Sequence, residues 1–165
     1  MKNDIEIIQI TEAYIESFHA CFDSVARERF YLGRLKAPPL ENVKEFVLKK
    51  IAKDIVHLVA ITDETVVGWC DIHPFEKEGF THVGVLGMGI DKEYRGQGLG
   101  KKLLNTAIER AKEKGLERIE LEVYNTNKVA IHLYEKAGFE VEGIKRKARK
   151  LDGKYYDKLC MALLF

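Results

Sequence analysis

Apolar positions along the chain switch between two spacings. Ile5 to Ile10 reads as a first strand. From Tyr14 the apolar residues fall at Tyr14, Ile15, Phe18, Phe22 and Val25, one face of a helix. Gly33 to Leu40 contains Pro38-Pro39 and reads as a loop. Val43, Phe46, Val47 and Ile51 mark a second amphipathic helix. Ile55 to Ile61 and Thr65 to Ile72 read as paired strands turned at Asp63-Glu64. Thr81 to Ile90 is a further strand, interrupted by Gly84, Gly87 and Gly89, which suggests a bulge or a close approach by something else.

A glycine turn over Asp91 to Gly98 leads into a helix. Leu99, Leu103, Leu104, Ala107, Ile108 and Ala111 lie on one face of it, and Gly115 stops it. Ile119, Leu121 and Val123 alternate with Glu120, Glu122 and Tyr124, so that stretch is a strand. Asn127 to Lys136 is a short helix ended by Gly138. Phe139 to Ile144 and Tyr155 to Leu164 are closing strands around a turn at Asp152-Gly153. The order β-α-α-β-β-β-α-β-α-β-β predicts one α/β domain over residues 1–165 with a mixed sheet. The helix between the 81–90 and 119–124 strands is expected to be a right-handed crossover, which makes those two strands parallel.

Composition narrows the class. The chain has 165 residues, 46% hydrophobic and 32% charged, as in an ordinary globular protein. No apolar run approaches the roughly 18 residues of a membrane span, and charges interrupt the apolar start, so a cytoplasmic protein is expected. Lys and Arg number 27 against 26 Asp and Glu, a net charge of +1 that argues against a coat for nucleic acid or anionic membrane. Cys21, Cys70 and Cys160 form no C-x-x-C pair and read as reduced, buried residues. The histidines and cysteines have no metal-ligand spacing. The basic run 145–150, five basic residues in six, reads as a solvated connection between strands, with an anion-attracting patch or a nucleic-acid site as alternatives.

Met88 to Lys102 carries the most chemistry. A strand ends, glycines cluster and a helix begins. Unpaired N–H groups and the helix dipole favour an anion there. Gly96, Gly98 and Gly100 remove obstructing side chains, and Arg95 and Lys101 add charge. A phosphate or pyrophosphate is the natural guest. The Walker pattern fails, with Arg95 in the place of its first glycine and Lys102 in the place of Ser or Thr. The dinucleotide pattern G-x-G-x-x-G fails from either Gly87 or Gly96.

What does match is R-x-x-G-x-G, at Arg95, Gly98 and Gly100. One helix and one strand later comes N-T-N-K-V-A-I-H-L-Y-E-K-A-G-F, Asn125 to Phe139. Together they resemble the GNAT superfamily of acyl-CoA-dependent N-acyltransferases, whose signatures are [RQ]-x-x-G-x-[GA] and N-x-x-A-x-x-L-Y-x-x-x-G-F. The second matches at Asn127, Ala130, Leu133, Tyr134, Gly138 and Phe139. The resemblance is strong from about Val83 to Leu164 and weak before residue 55. It implies an α/β (α+β) single-domain fold: a mixed, mostly antiparallel sheet with a splayed parallel strand pair, flanked by helices. It implies acetyl-CoA as co-substrate without a metal, and direct transfer in a ternary complex to a primary amine: a small amine, an amino acid or a peptide N-terminus. The expected cofactor-binding residues are Met88, Gly89, Ile90, Arg95, Gly96, Gln97, Gly98, Leu99, Gly100, Lys101, Asn127 and Tyr134. Many relatives dimerise, which makes a homodimer a family expectation.

Tyr134 is the expected general acid by the same resemblance, near the thioester sulfur. An N–H near Met88 or Ile90 is the expected donor to the acetyl oxygen. Asn127 has an independent role as a helix N-cap. Many relatives carry a Glu on the glycine-rich strand, but G-V-L-G-M-G-I, Gly84 to Ile90, contains no acid. The base is therefore open among His82, His73, Glu120, Glu122 and water, and the missing acid leaves a non-catalytic acyl-CoA-binding module as the alternative. Phe30, Tyr31, Tyr155 and Tyr156 are candidates for the acceptor side.

Overall fold

The computed structural model describes residues 4–165. Residues 1–3 of the apolar start considered above lie outside it. In chain order the elements are β1 (Glu6–Gln9), α1 (Ile15–Arg27), α2 (Leu40–Ala52), β2 (Val56–Thr62), β3 (Thr65–Pro74), β4 (Val83–Ile90), α3 (Leu99–Glu113), β5 (Arg118–Tyr124), α4 (Lys128–Lys136), β6 (Glu140–Leu151) and β7 (Lys154–Leu164). The strands form one sheet in the order β1-β2-β3-β4-β5-β7-β6. Among the described residues only β4 and β5 run parallel, joined across α3. The mixed sheet, its single parallel pair and the order of the main elements agree with the pattern read from the sequence.

Each face of the sheet has its own core. On one face Phe18, Cys21 and Val25 of α1 and Val43 and Val47 of α2 pack on Val59, Ile61, Val66 and Trp69. On the other, α3 buries Leu99, Leu103, Leu104, Ala107, Ile108 and Ala111 against Leu58, Cys70, Ile72, Leu86, Ile119 and Leu121. Burying each such Leu or Ile contributes about 1.5–3 kcal/mol. The β2–β3 hairpin turns at Asp63 and Glu64, whose φ angles of 47° and 59° place both centre residues in the left-handed region. That is the sense of twist a two-residue hairpin needs.

One open alternative is decided and one expectation is corrected. First, β4 pairs with β3 in unbroken register from Pro74↔Gly84 to Gly68↔Ile90, with no bulge. Its glycines serve close approach instead. A Cβ on Gly89 would lie 2.3 Å from the Trp69 ring, and one on Gly84 would lie 2.6 Å from Ile72 and 2.8 Å from Leu116. Second, the basic run 145–150 is not a connection. It lies within β6, where the register with β7 shifts between Lys145 and Arg149. Lys147 takes a φ of 50° there, and its N–H donates to Asp157 Oδ1 at 2.8 Å. Of the cysteines, Cys21 and Cys70 are buried but Cys160 is only partly so. Among the described residues no helix is long and apolar enough to cross a membrane.

Candidate active site

β4 and β5 pair only from Val83↔Arg118 to Val85↔Glu120, then separate. Hydrogen bonds alternate along a strand, so the bonds at the two ends of β4 set its phase. Phe75 N–H donates to Val83 O at 3.0 Å, and Asp91 N–H to Val67 O at 2.9 Å. The odd-numbered residues of β4 thus bond to β3, and the backbones of Met88 and Ile90 face the gap. On the other wall Asn125 N–H donates to Asp157 O at 3.0 Å. By the same alternation, Glu122 and Tyr124 present their backbones to the gap.

The gap is a cleft of about 780 Å³, in the range of small-molecule sites. One wall carries Leu86 to Ile90 and the glycine turn, and the other carries Glu122 to Tyr124 and the start of α4. Phe30, Tyr31, Leu32 and Gly33 close one side. The turn works as the glycines suggest. Gly96 and Gly98 have φ angles of 71° and 79°, and a Cβ on either would meet nothing within 4 Å. They hold a left-handed backbone and leave open space before α3, whose first N–H groups are unpaired. The residues present therefore fit a pyrophosphate at the turn and an extended amide-bearing arm along the gap.

Ten of the twelve expected binding residues line this cleft: Met88, Gly89, Ile90, Arg95, Gly96, Gly98, Gly100, Lys101, Asn127 and Tyr134. The other two do not. Leu99 is buried in the core beneath α3, and Gln97 donates to Glu93 O at 3.1 Å. Arg95 lines the cleft but its guanidinium is engaged elsewhere. It donates to Ile90 O at 2.9 Å, pairs with Glu28 at 2.9 Å and lies 4.4 Å from the Tyr31 ring centre. Arg95 thus ties the end of β4 to α1 and the following loop, and Lys101 is the less committed cation at the turn. Asn127 caps α4, its side chain accepting from Ala130 N–H at 3.3 Å.

Tyr134 is 7% exposed and packs on Phe139, ring centres 5.7 Å apart. Its hydroxyl has no protein partner among the described residues. Burial pushes its ionisation well above the usual tyrosine value, and the neighbouring Cys70 adds to this.

Of the four side chains considered as a base, only Glu122 lines the cleft. Lys145 holds its carboxyl below the usual range, and Lys158, 3.0 Å away, adds to the effect. Glu120 is paired with Arg118 at 3.0 Å. His73 stacks on Phe46 at 6.1 Å, and His82 stands exposed before β4. The sequence reading missed Leu32, Tyr124 and Lys158 as cleft residues. Alternation along β5 shows that Tyr124 shares a face with Glu122, but the partners across that face depend on β7 register, which periodicity does not carry.

The fold and the cleft have known counterparts. The model of the acetyltransferase (GNAT) family matches residues 11–139. The L-amino acid N-acetyltransferase AaaT of Escherichia coli (strain K12) is 31% identical over 157 residues, 94% of this chain and 96% of that protein. The crystal structure of a GNAT-family acetyltransferase from Streptococcus pneumoniae superposes with a TM-score of 0.92 at 27% identity, covering 98% of this chain and 100% of that one. A ribosomal-protein-alanine N-acetyltransferase from Brucella melitensis superposes with a TM-score of 0.89 at 26% identity, covering 97% and 99%. The chain belongs to the GNAT family. It is an acetyl-CoA-dependent N-acetyltransferase.

Proposed function

We propose that this enzyme moves the acetyl group of acetyl-CoA directly onto the α-amine of an amino acid, with both substrates held at once between β4 and β5. The observation that carries the reading is the splay of those strands, which opens an apolar cleft with backbone groups on both walls and a glycine turn at one end. The choice of acceptor is supported by the relative that matches almost end to end, an L-amino acid N-acetyltransferase.

The thioester supplies a carbonyl carbon for the amine's lone pair and a thiolate leaving group. Backbone N–H groups of Met88 and Ile90 face the gap and donate to the acetyl oxygen as negative charge builds there. Gly96, Gly98, Gly100 and Lys101 receive the pyrophosphate, and Gly89 and Asn127 border the arm. Tyr134 donates its proton at the departing sulfur. No carboxylate on β4 takes the amine's proton, so the enzyme draws on amine that is already neutral and releases the proton to water. An α-amine suits this better than a lysine side chain, because it is less basic and more of it is neutral at a given pH. The carboxylate beside the amine of a free amino acid keeps that fraction below a peptide terminus's, so turnover should climb with pH.

The test is acetyl-CoA turnover, read as free thiol, across the L-amino acids, polyamines, aminoglycosides and N-terminal peptides. Turnover concentrated on free amino acids is expected. Turnover on peptides alone would move the acceptor to protein N-termini, and turnover on polyamines or aminoglycosides alone would overturn the α-amine reading.

A further inference from the structure

We propose that Arg149 binds the acceptor's carboxylate and so selects free amino acids over amines that lack one. This rests on the reading of the acceptor as an amino acid and adds the residue that recognises it.

Strand alternation fixes the side of the sheet. Leu121 and Val123 enter the core beneath α3, so Glu122 and Tyr124 point to the opposite face. Tyr124 pairs with Lys158 in β7, and Arg149 of β6 pairs with Tyr156 of β7. Leu32, Gly33, Tyr124 and Lys158 line the cleft, and at one corner Arg149 and Tyr156 pack against Tyr124 and Leu32 just outside that lining. The Arg149 guanidinium carbon lies 4.0 Å from the Tyr124 ring centre and 4.4 Å from that of Tyr156. Its Nη1 reaches Leu32 O at 3.5 Å, the outer limit of a hydrogen bond.

Its other two nitrogens carry the argument. Nε and Nη2 are buried and have no hydrogen-bond partner among the described residues. Arginine cannot shed its charge, and a desolvated cation without an anion is costly. The nearby acid does not serve, because Glu122 is already held by Lys145 and Lys158. Nε and Nη2 lie on the same edge of the guanidinium. That edge takes both oxygens of one carboxylate through two parallel N–H···O bonds. The two aromatic rings hold the plane in place, and because both nitrogens are covered, the corner must part to admit a carboxylate. Lys158, 5.5 Å from the Tyr124 ring centre, adds positive potential to the same corner. An amino acid bound here by its carboxylate has its amine one carbon away.

The experiment compares each amino acid that turns over with its own α-carboxamide, on the wild type, Arg149→Gln and Arg149→Lys. The wild type is expected to favour the acid strongly. In Arg149→Gln the KM for the acid rises on the order of 10²-fold, the scale of removing one partner from a buried, hydrogen-bonded charge pair. The amide's kcat/KM stays within about threefold, because the amide never used the fork. Arg149→Lys, which keeps the charge but not the fork, shows a smaller loss that is again confined to the acid. It carries the test alone if the glutamine variant does not fold. Equal use of acid and amide by the wild type, counted per neutral amine, would overturn the proposal, as would an equal loss on both substrates, which marks a purely structural role. If the wild type acetylates no amino acid, the acceptor reading itself fails, and that is visible before any variant is made.

Discussion

Burial keeps the Tyr134 phenol protonated across the pH range in which an enzyme of this kind works. Between free groups, proton transfer from tyrosine to a thiolate is uphill by roughly 1.5 pKa units. A thiolate released in the same apolar cleft is raised as well, so desolvation shifts both partners in one direction. Tyr134→Phe is expected to lower kcat by about 10²–10⁴-fold. The acetyl-CoA dissociation constant should stay within a few-fold, since the ring and its packing on Phe139 remain. Single-turnover rates and calorimetric binding separate the two effects, and loss of binding with kcat intact would show Tyr134 to be a wall residue. Glu122 makes the opposite point. Its lysine partners hold it ionised and weakly basic, so the acceptor's own amine should set the pH dependence. The expected kcat/KM rises with pH to one plateau at the amine pKa. The plateau should move to lower pH when the acceptor is replaced by a less basic amine. A plateau that stays put would point to a base on the protein.

The β4 glycines show how an element is shaped by its neighbour. Trp69 leans across the position that a side chain at 89 would occupy. Gly89→Ala is expected to cost about 1–3 kcal/mol of stability by overpacking, measured by urea unfolding; an unchanged midpoint would show that Trp69 moves aside freely. From the sequence these glycines carried only two readings, a bulge or a close approach, and the regular register with β3 selects the second. The helices and inner strands were legible because each buries one face, and burial prints a period on the sequence. β6 was read short for the opposite reason. Its residues are exposed on both faces almost throughout, so no alternation marks its extent. The turn motif located the cleft, and ten of its twelve expected residues line it. Arg95 was legible as a charge near the turn but not as the tie between Ile90, Glu28 and Tyr31, because those partners are 64 or more residues away except Ile90. Arg149 was hidden in a basic run whose composition alone suggests a solvated loop.

Two cores on either side of one sheet leave few polar groups inside, and the exceptions set how the whole molecule responds to acid. His57 in β2 is 1% exposed, stands edge-on to Phe18 at 4.7 Å, and among the described residues has no hydrogen-bond partner at either ring nitrogen. Burial is the main cause that lowers its pKa from 6.5 to about 4. Above pH 6.5 the ring is neutral in both the folded and the unfolded chain, so it contributes no pH dependence. As the pH falls from 6.5 toward 4, the unfolded chain takes up a proton that the folded one refuses, and stability drops. Below about 4 both states are protonated and the slope ends. The full window amounts to about 3 kcal/mol, a large share of a typical domain's stability. His57→Leu removes the titration and two unsatisfied nitrogens from the core. It should be neutral or mildly stabilising at pH 7.5. Its advantage over the wild type should then grow by up to about 1.4 kcal/mol per pH unit between pH 6 and 4.5. Urea unfolding at matched pH values measures the difference, and carboxylates common to both proteins cancel from it. If the two stability curves run parallel through that window, His57 takes up its proton in the folded protein, and acid unfolding begins elsewhere.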